Sequence, residues 1–441
     1  MARHLSPTLR LSIAAVIVSI TPLVYSAVTL ASTNKAATAA LVVSIGCVAS
    51  IARRHSIWSG MSVFVVLLVL FNLGVVVPVL VFNAHEPFVS AGWLGSADLE
   101  QGLGLYIIAI TCFTVGTCLY RGRRVKVYRV ALRDSTSSIG YMWSGILVIG
   151  VIGYVVIGFY SGILTAPDRT LYMELRESGS ARWFGGFRTV IVISAMAVIA
   201  FSSRRVALTA VVASVITFTP LFILGQRGFF IVTVAAFLVV LRLRGIEISS
   251  LAAAACGAVV FALIPIIRGM RGGVTEIGAG ILDPIYEMGT QFRVILYSID
   301  AIMTNEIPLQ YGQTYVAALS RSVPNIGGLV DMLGGRGQSP SNLITELYSA
   351  NAGVGMSAIA EAYMNFSAFG VSVIFFLLGL TMTYAEKISG RSPYSLAIYG
   401  ATLGSIFWMV RADFFAASRP LAWAMFGIGA TFLLARSSRR R

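Results

Sequence analysis

The chain has 441 residues, of which 57% are hydrophobic and only 12% are charged. This balance excludes a soluble globular domain and predicts a polytopic membrane protein. The net charge of +15 does not indicate nucleic-acid binding, because basic loops beside an anionic cytoplasmic leaflet account for most of it.

About twelve apolar segments predict transmembrane helices in an all-α fold. The first segment lacks a clear small-residue cleavage site and is interpreted as a retained helix. The four cysteines lie within apolar segments, without the spacing of a metal site or a disulfide framework. The approximate bounds of the segments are 10–31, 37–52, 60–82, 102–120, 140–163, 187–203, 206–224, 228–242, 248–267, 355–385, 394–411 and 416–435.

The distribution of basic residues in short loops predicts the orientation of the chain. Loop 121–133 contains six Lys or Arg residues, whereas loop 83–101 contains three carboxylates and neither Lys nor Arg. Because basic loops stay on the cytoplasmic side, both termini are predicted to be cytoplasmic.

The segments on the predicted outer side contain arginines that oppose this rule. Arg227 lies in the turn Gly225-Gln226-Arg227-Gly228, which leaves almost no linker between two apolar segments, and Arg268 and Arg271 follow another. The planar arginine fork suits phosphate and pyrophosphate groups. A snorkelling arginine that anchors the end of a hairpin is the alternative interpretation of Arg227.

The outer loop 164–186 combines three arginines with several carboxylates at helical spacing. Internal ion pairs on a solvated loop helix explain this pattern as well as substrate binding does. The arginines are Arg169, Arg176 and Arg182, and the carboxylates include Asp168 and Glu174.

The late outer segment 268–354 predicts a small extracytoplasmic subdomain with interfacial helices. Apolar residues recur there at helical spacing and would form one face of a helix, and polar residues would lie on the opposite side. The predicted apolar face consists of Ile285, Met288, Phe292, Ile295, Leu296, Ile299 and Met303. The predicted opposite side carries Tyr286, Glu287, Gln291 and Asp300.

Glu361 and Asn365 are four residues apart and therefore share a helical face, which Ser357 extends. A carboxylate at the outer membrane boundary either pairs with a neighbouring arginine or acts as a general base in a partly dry cavity.

The chain contains no Walker, HExxH or GxSxG motif, so we predict no metal, nucleotide or other cofactor. The predicted organisation is a nine-span bundle at 1–267, the extracytoplasmic subdomain at 268–354, and a three-span bundle at 355–441.

These features together resemble the O-antigen and polysaccharide repeat-unit polymerases of the Wzy type. The resemblance rests on the arginine-rich loop before the sixth segment, the turn at 225–228, the pair Arg268 and Arg271, the large late loop, and the run 357–366. It implies a membrane glycosyltransferase with an all-helical fold of the C type in the bacterial cytoplasmic membrane. The implied reaction transfers a growing glycan from one polyprenyl pyrophosphate to a new lipid-linked repeat unit.

The resemblance also implies roles for individual residues and partners. Glu361, Arg227 and Arg268 are the predicted catalytic residues, with Asp168 or Glu174 as alternative bases. The expected partners are the lipid-linked oligosaccharide, membrane lipid and a chain-length regulator protein, with no nucleic acid. An O-antigen ligase, or a polysaccharide flippase or secondary transporter, is the alternative function. The predicted substrate-binding residues are Arg271, Arg169, Arg176, Arg182, Tyr363, Asn365 and Arg321.

Overall fold

The computed structural model describes residues 23–84, 92–119, 137–164, 179–223, 226–249, 257–258, 261–262, 283–322, 339–348 and 355–438. Within these ranges every regular element is helical and no strand is present. The predicted all-α class is therefore confirmed for the part of the chain that is described.

Fifteen α-helices, numbered in chain order, and two short 3-10 helices form these ranges, and residues 23–29 are also helical. The α-helices are α1 Thr33–Arg54, α2 Gly60–Leu73, α3 Val76–Leu80, α4 Leu99–Leu119, α5 Ser138–Tyr160, α6 Gly179–Phe201, α7 Arg204–Ile223, α8 Arg227–Leu243, α9 Asp283–Gly289, α10 Arg293–Met303, α11 Gln313–Ser322, α12 Pro340–Leu347, α13 Ala358–Ser389, α14 Pro393–Trp408 and α15 Phe414–Ser438. The 3-10 helices are Gly92–Gly95 and Thr290–Phe292.

Six of the described helices are long and apolar enough to cross a membrane. They are α1, α4, α5, α13, Trp183–Phe201 within α6, and Arg204–Phe222 within α7. A helix needs about 20 mainly apolar residues to cross the hydrocarbon of a bilayer, so α2, with 14 residues, is short for a span. The chain is therefore a polytopic membrane protein, whereas the total of about twelve spans stays a prediction.

The predicted span 60–82 is wrong as a single helix, because the structure breaks it at Gly74 into α2 and α3. A Cβ at Gly74 would collide with the backbone carbonyl of Ile285, and one at Gly289 would collide with the backbone of Gly74 and Val75. Because neither glycine has a side chain, the backbone between α2 and α3 packs directly against the backbone at the end of α9. Hydropathy cannot detect such a break, because its residues remain apolar.

The helices group into two compact units. Unit 1 comprises Met1–Arg124, Ser250–Tyr384 and Met409–Phe415, and unit 2 comprises Val125–Ser249, Ala385–Trp408 and Ala416–Arg441. The units are defined by packing. The three predicted domains are defined by order along the chain and by position relative to a membrane, and they stay a prediction.

In unit 1, α4 crosses α13 at a pair of glycines. A Cβ at Gly116 would collide with the carbonyl oxygen of Phe376, and a Cβ at Gly379 would collide with the carbonyl oxygen of Phe113. Small residues at such crossings let membrane helices pack through their backbones. This contact holds α4 against α13, the helix that carries Glu361.

In unit 2, α6 occupies the centre and contacts α5, α7 and α14. Tyr154 of α5 is 0% exposed and stacks on Phe184 of α6 with ring centroids 4.3 Å apart. Phe218 of α7 completes this aromatic contact at 6.0 Å from Tyr154. The packing positions α7, which in turn contacts α8, the helix that begins at Arg227.

The predicted interfacial helix forms as α9, the second 3-10 helix and α10, and most of its predicted apolar face is buried. Met303 is an exception at 62% exposed, because it ends α10. Tyr286 and Gln291 were wrongly assigned to the polar side, since they are only 4% and 5% exposed. Gln291 is tolerated inside because its Nε2 donates a hydrogen bond to the carbonyl of Met356 at 3.0 Å.

Candidate functional site

The first turns of α13 bear the predicted polar face. Ser357 precedes the helix, and its hydroxyl accepts a hydrogen bond from the backbone N–H of Ala360 at 3.2 Å, as an N-cap serine does. Glu361 and Asn365 lie on the same face, and both are 0% exposed. The Asn365 Nδ2 donates to the backbone carbonyl of Glu361 at 2.8 Å. The predicted shared face is therefore present, and it is fully buried.

The helix α13 is interrupted directly after Asn365. Phe366 has φ −142° and ψ 20°, and Ser367 has φ 58° and ψ −159°. The Ser367 conformation is one that residues other than glycine rarely adopt, at a typical cost of about 1–3 kcal/mol. The interruption also deprives the carbonyls of the preceding turn of their usual partners along the helix.

A tight turn at 310–312 satisfies those carbonyls. The backbone N–H of Gln310 donates to the carbonyl of Met364 at 2.9 Å, and that of Tyr311 donates to the carbonyl of Asn365 at 3.0 Å. The Gly312 N–H donates to Asn365 Oδ1 at 2.9 Å. Three hydrogen bonds therefore attach the start of α11 to the broken end of the α13 turn that carries Glu361.

Glu361 accepts two hydrogen bonds from segments distant in sequence. Its Oε1 accepts from the hydroxyl of Thr314 at 2.8 Å, and its Oε2 accepts from the backbone N–H of Phe414 at 2.6 Å. Asn365 Nδ2 also donates to the Thr314 hydroxyl oxygen at 2.7 Å. We call Thr314, Glu361, Asn365 and the Phe414 N–H the carboxylate cluster. It joins α11, α13 and the start of α15 within unit 1.

A second carboxylate and a tyrosine adjoin the cluster. Asp413 is 3% exposed and directly precedes Phe414, whose N–H binds Glu361. The ring of Tyr315 lies 5.6 Å from the Phe414 ring and 6.4 Å from the Phe366 ring. Burial raises the pKa of the Tyr315 phenol, and the negative charge of Glu361 raises it further. Tyr315 is therefore protonated at neutral pH and can act only as a neutral group.

The surroundings of Glu361 differ from one of the two interpretations offered by the sequence, the pairing with a neighbouring arginine. A hydroxyl and a backbone N–H, rather than an arginine, are the hydrogen-bond donors to its carboxylate among the described residues. The general-base role stays a prediction. Sequence reasoning missed Thr314 and Asp413. A carboxylate between two apolar segments could have marked Asp413 as unusual, whereas no feature of the sequence distinguishes Thr314.

In unit 2, Arg227 is the first residue of α8 and is only 3% exposed. The preceding Gln226 accepts a hydrogen bond through Oε1 from Arg188 Nη1 at 2.9 Å. The Arg188 guanidinium also lies 4.3 Å from the centroid of the Phe229 ring, in cation–π geometry. We call Arg188, Gln226, Arg227 and Phe229 the arginine cluster. Two arginines therefore lie at one end of α8. Of these, Arg227 was a predicted site residue and Arg188 was not.

The other end of α8 contains a buried arginine with a structural contact. Arg244 is 4% exposed, and its Nη2 donates to the carbonyl of Ser202 just beyond the end of α6. Burial lowers the pKa of Arg244 to about 10. Basic side chains commonly stabilise the last carbonyls of a helix in this way. Burial of an arginine in this chain therefore also serves helix capping.

The remaining predicted site residues divide by location. Tyr363 is 5% exposed on α13 within unit 1. Arg182 and Arg321 lie on α6 and α11, but their side chains are outside the described set. The residues that fall wholly outside the described ranges are Arg169, Arg176, Arg268 and Arg271, together with Asp168 and Glu174.

Fold and polar clusters together define an all-helical integral membrane protein that keeps charged side chains buried at helix ends. In the described part of the chain, no group of three or more His, Cys, Asp or Glu side chains is placed to hold a metal ion. A family model described as O-antigen polysaccharide polymerase Wzy matches residues 10–438. The chain therefore belongs to the O-antigen polymerase family Wzy, as its resemblance predicted. Neither the curated proteins nor the solved structures gave a match.

Proposed function

We propose that the protein polymerises polyprenyl-pyrophosphate-linked oligosaccharide repeat units into a surface polysaccharide. Family membership over residues 10–438 supports repeat-unit polymerisation in general. We further propose that the reaction takes place at the outer face of the cytoplasmic membrane, with both termini in the cytoplasm. A chain-length regulator protein is the expected partner.

In the proposed reaction a hydroxyl of the new repeat unit attacks the anomeric carbon of the growing glycan. A new C–O glycosidic bond forms as the C–O bond to the lipid pyrophosphate breaks. The attacking hydroxyl loses its proton to a base, and the bonding electrons leave with the pyrophosphate. Cleavage of the bond between the sugar and the lipid pyrophosphate supplies the free energy of the reaction. The enzyme therefore has to position both sugars and stabilise the negative charge on the departing pyrophosphate.

The buried Arg227 is the observation that carries this proposal. A guanidinium at the end of a helix that is predicted to lie in the membrane is costly to bury and is normally retained for function. The arginine cluster offers the planar donors that match pyrophosphate oxygens. We propose that Arg227 and Arg188 contact the pyrophosphate; the substrate contacts of Arg268, Arg271 and the arginines of loop 164–186 stay predictions.

Glu361 is the proposed proton acceptor. A carboxylate whose two oxygens already accept hydrogen bonds can take a proton once one donor turns toward the substrate. A single displacement of this kind inverts the configuration at the anomeric carbon. Asp413, which adjoins the cluster, is an additional carboxylate of the same chemistry.

The experiment compares three variants of the full-length protein in membranes. Arg227→Ala should abolish long polymer while leaving the protein level and the single-unit lipid intermediate intact. Arg227→Lys keeps the charge but loses the fork, so its polymer yield should fall by at least about tenfold, the factor that corresponds to 1.4 kcal/mol. Arg205→Ala removes an exposed arginine at the start of α7 and is the charge-matched control. Normal chain lengths in Arg227→Ala would refute the assignment.

A further inference from the structure

A cavity of about 320 Å³ lies in unit 1, beside the carboxylate cluster. Its polar lining comes from Glu306, Gln310, Gln313 and Thr314, and the rest of the described lining is apolar and includes Leu343 of α12. The volume is at the lower end of the range for small-ligand pockets, about 300–1,000 Å³. It is sufficient for a single sugar ring, with the rest of an oligosaccharide outside.

The chemistry of the lining favours an uncharged ligand rich in hydroxyl groups. The Gln313 amide carries two N–H donors and an acceptor oxygen, and the Gln310 amide keeps its oxygen and one N–H after donating the other to Pro308, so both can bind a sugar hydroxyl. Neither lysine nor arginine is among the described residues that line the cavity. Since Glu306 adds negative charge, a pyrophosphate would be repelled here. The cavity therefore differs in ligand class from the arginine cluster.

The wall of the cavity is held in place by backbone contacts. The hydrogen bonds from Gln310 to Met364 and from Tyr311 to Asn365 anchor the turn that contributes Gln310 to the lining. Gln310 Nε2 donates to the carbonyl of Pro308 at 2.7 Å. Tyr311 has φ 44°, a left-handed conformation, and is 74% exposed. Strained residues of this kind are concentrated at ligand sites, and an exposed tyrosine ring can stack on the C–H face of a sugar.

Thr314 links the cavity to Glu361. A threonine hydroxyl has one donor and two acceptor positions. The donor is used on Glu361 Oε1 at 2.8 Å, and one acceptor position is used by Asn365 Nδ2 at 2.7 Å. Among the described residues the second acceptor position receives no hydrogen bond, so Thr314, which lines the cavity, can accept one from a hydroxyl bound there. A proton can therefore pass from that hydroxyl to Thr314 while the proton of Thr314 passes to Glu361.

We propose that this cavity binds the sugar ring that carries the acceptor hydroxyl, and that Thr314 transfers the proton of this hydroxyl to Glu361. The inference rests on the proposed function, since it assigns the acceptor half of the same reaction. As the acceptor oxygen forms its bond to the anomeric carbon, its proton moves to Thr314 Oγ1 and the Thr314 proton moves to Glu361 Oε1. The pyrophosphate leaves with the bonding electrons, so protons and charges balance.

The test fills the cavity from a neighbouring helix position. Ala317 lines the cavity on α11, whereas the adjacent Val316 does not and is 54% exposed. Ala317→Trp should raise the KM for acceptor by at least about tenfold with little change in the KM for donor. Val316→Trp adds the same side chain outside the cavity and should leave both values unchanged. Gln313→Ala, which adds no bulk, should raise the acceptor KM in the same direction.

A binding measurement separates this inference from the proposed function. Free repeat-unit oligosaccharide, released from its lipid, is titrated into purified full-length protein and followed by saturation-transfer NMR. Wild type and Val316→Trp should bind it, and Ala317→Trp should not. Equal binding by the two tryptophan variants, or no binding by wild type, would overturn the cavity assignment. A wild-type protein that binds the oligosaccharide but forms no polymer would instead refute the proposed polymerisation.

Discussion

Replacement of Glu361 by glutamine and by alanine separates a catalytic carboxylate from a structural one. Glu361→Ala leaves the Thr314 hydroxyl and the Phe414 N–H without their acceptor in a fully buried site. Each unsatisfied buried group costs about 1–3 kcal/mol, so the loss of folding stability should total about 2–6 kcal/mol. The alanine variant should therefore lose activity through unfolding, whatever the role of the carboxylate.

Glu361→Gln keeps the shape of the side chain and most of its contacts. The amide oxygen can accept from the Phe414 N–H, and the amide nitrogen can donate to the Thr314 hydroxyl oxygen. The substitution removes the negative charge and reverses the hydrogen bond with Thr314, but leaves the other contacts in place. The loss of folding stability should therefore be within about 2 kcal/mol. The glutamine cannot accept a proton at neutral pH, and turnover should fall by at least about 100-fold, the lower bound for general-base catalysis.

The assay combines heating with turnover on the same detergent-purified samples. The fraction of monodisperse protein that survives heating reports stability, and incorporation of lipid-linked repeat units reports activity. A stable Glu361→Gln protein with wild-type turnover would refute the base assignment and leave Glu361 as a structural residue that joins α11, α13 and α15. A stable protein without turnover would support the assignment.

Three further predictions concern a turn, a pH response and the orientation. Gly312→Ala should lower stability by about 1–3 kcal/mol, because φ there is +89° and a Cβ would lie 3.1 Å from Phe366 Cζ; Gly185→Ala, where a Cβ meets nothing within 4 Å, is the control for thermal unfolding. Burial and a neighbouring carboxylate raise the pKa of Asp98. The stability that a protonated Asp98 contributes is fully present below about pH 4 and is lost as pH rises through the raised pKa. Asp98→Asn should therefore reduce the fall in melting temperature above pH 4, and an unchanged pH profile would contradict this. A cysteine at position 336, in place of Arg336, should react with a membrane-impermeant maleimide added outside the cell; protection there would overturn the predicted orientation.

Local sequence patterns predicted the helices of this protein well. Most of the apolar segments that fall on described residues form helices, because burial of apolar side chains and internal backbone hydrogen bonding both favour them. The four-residue spacing of Glu361 and Asn365 placed them on one face for the same local reason. The exception at Gly74 arose from a contact with Gly289, more than 200 residues later in the chain.

The candidate site was predictable only in part. The sequence identified Arg227 and Glu361 because a charge within an apolar context is visible along the chain. It could not identify Thr314, which is unremarkable in composition and gains its importance from a hydrogen bond across 47 positions. The importance of Arg188 likewise follows only from its contacts with Gln226 and Phe229.

The sequence by itself determined that this is an all-helical membrane protein with arginines and a carboxylate at helix ends, because hydropathy and helical periodicity are properties of neighbouring residues. It also carried the resemblance that the family model confirmed over residues 10–438. Only the tertiary structure decided what Glu361 contacts, since Thr314 and Phe414 approach it from opposite directions along the chain. It also decided where a sugar-sized cavity lies, because a cavity exists only between segments that folding brings together.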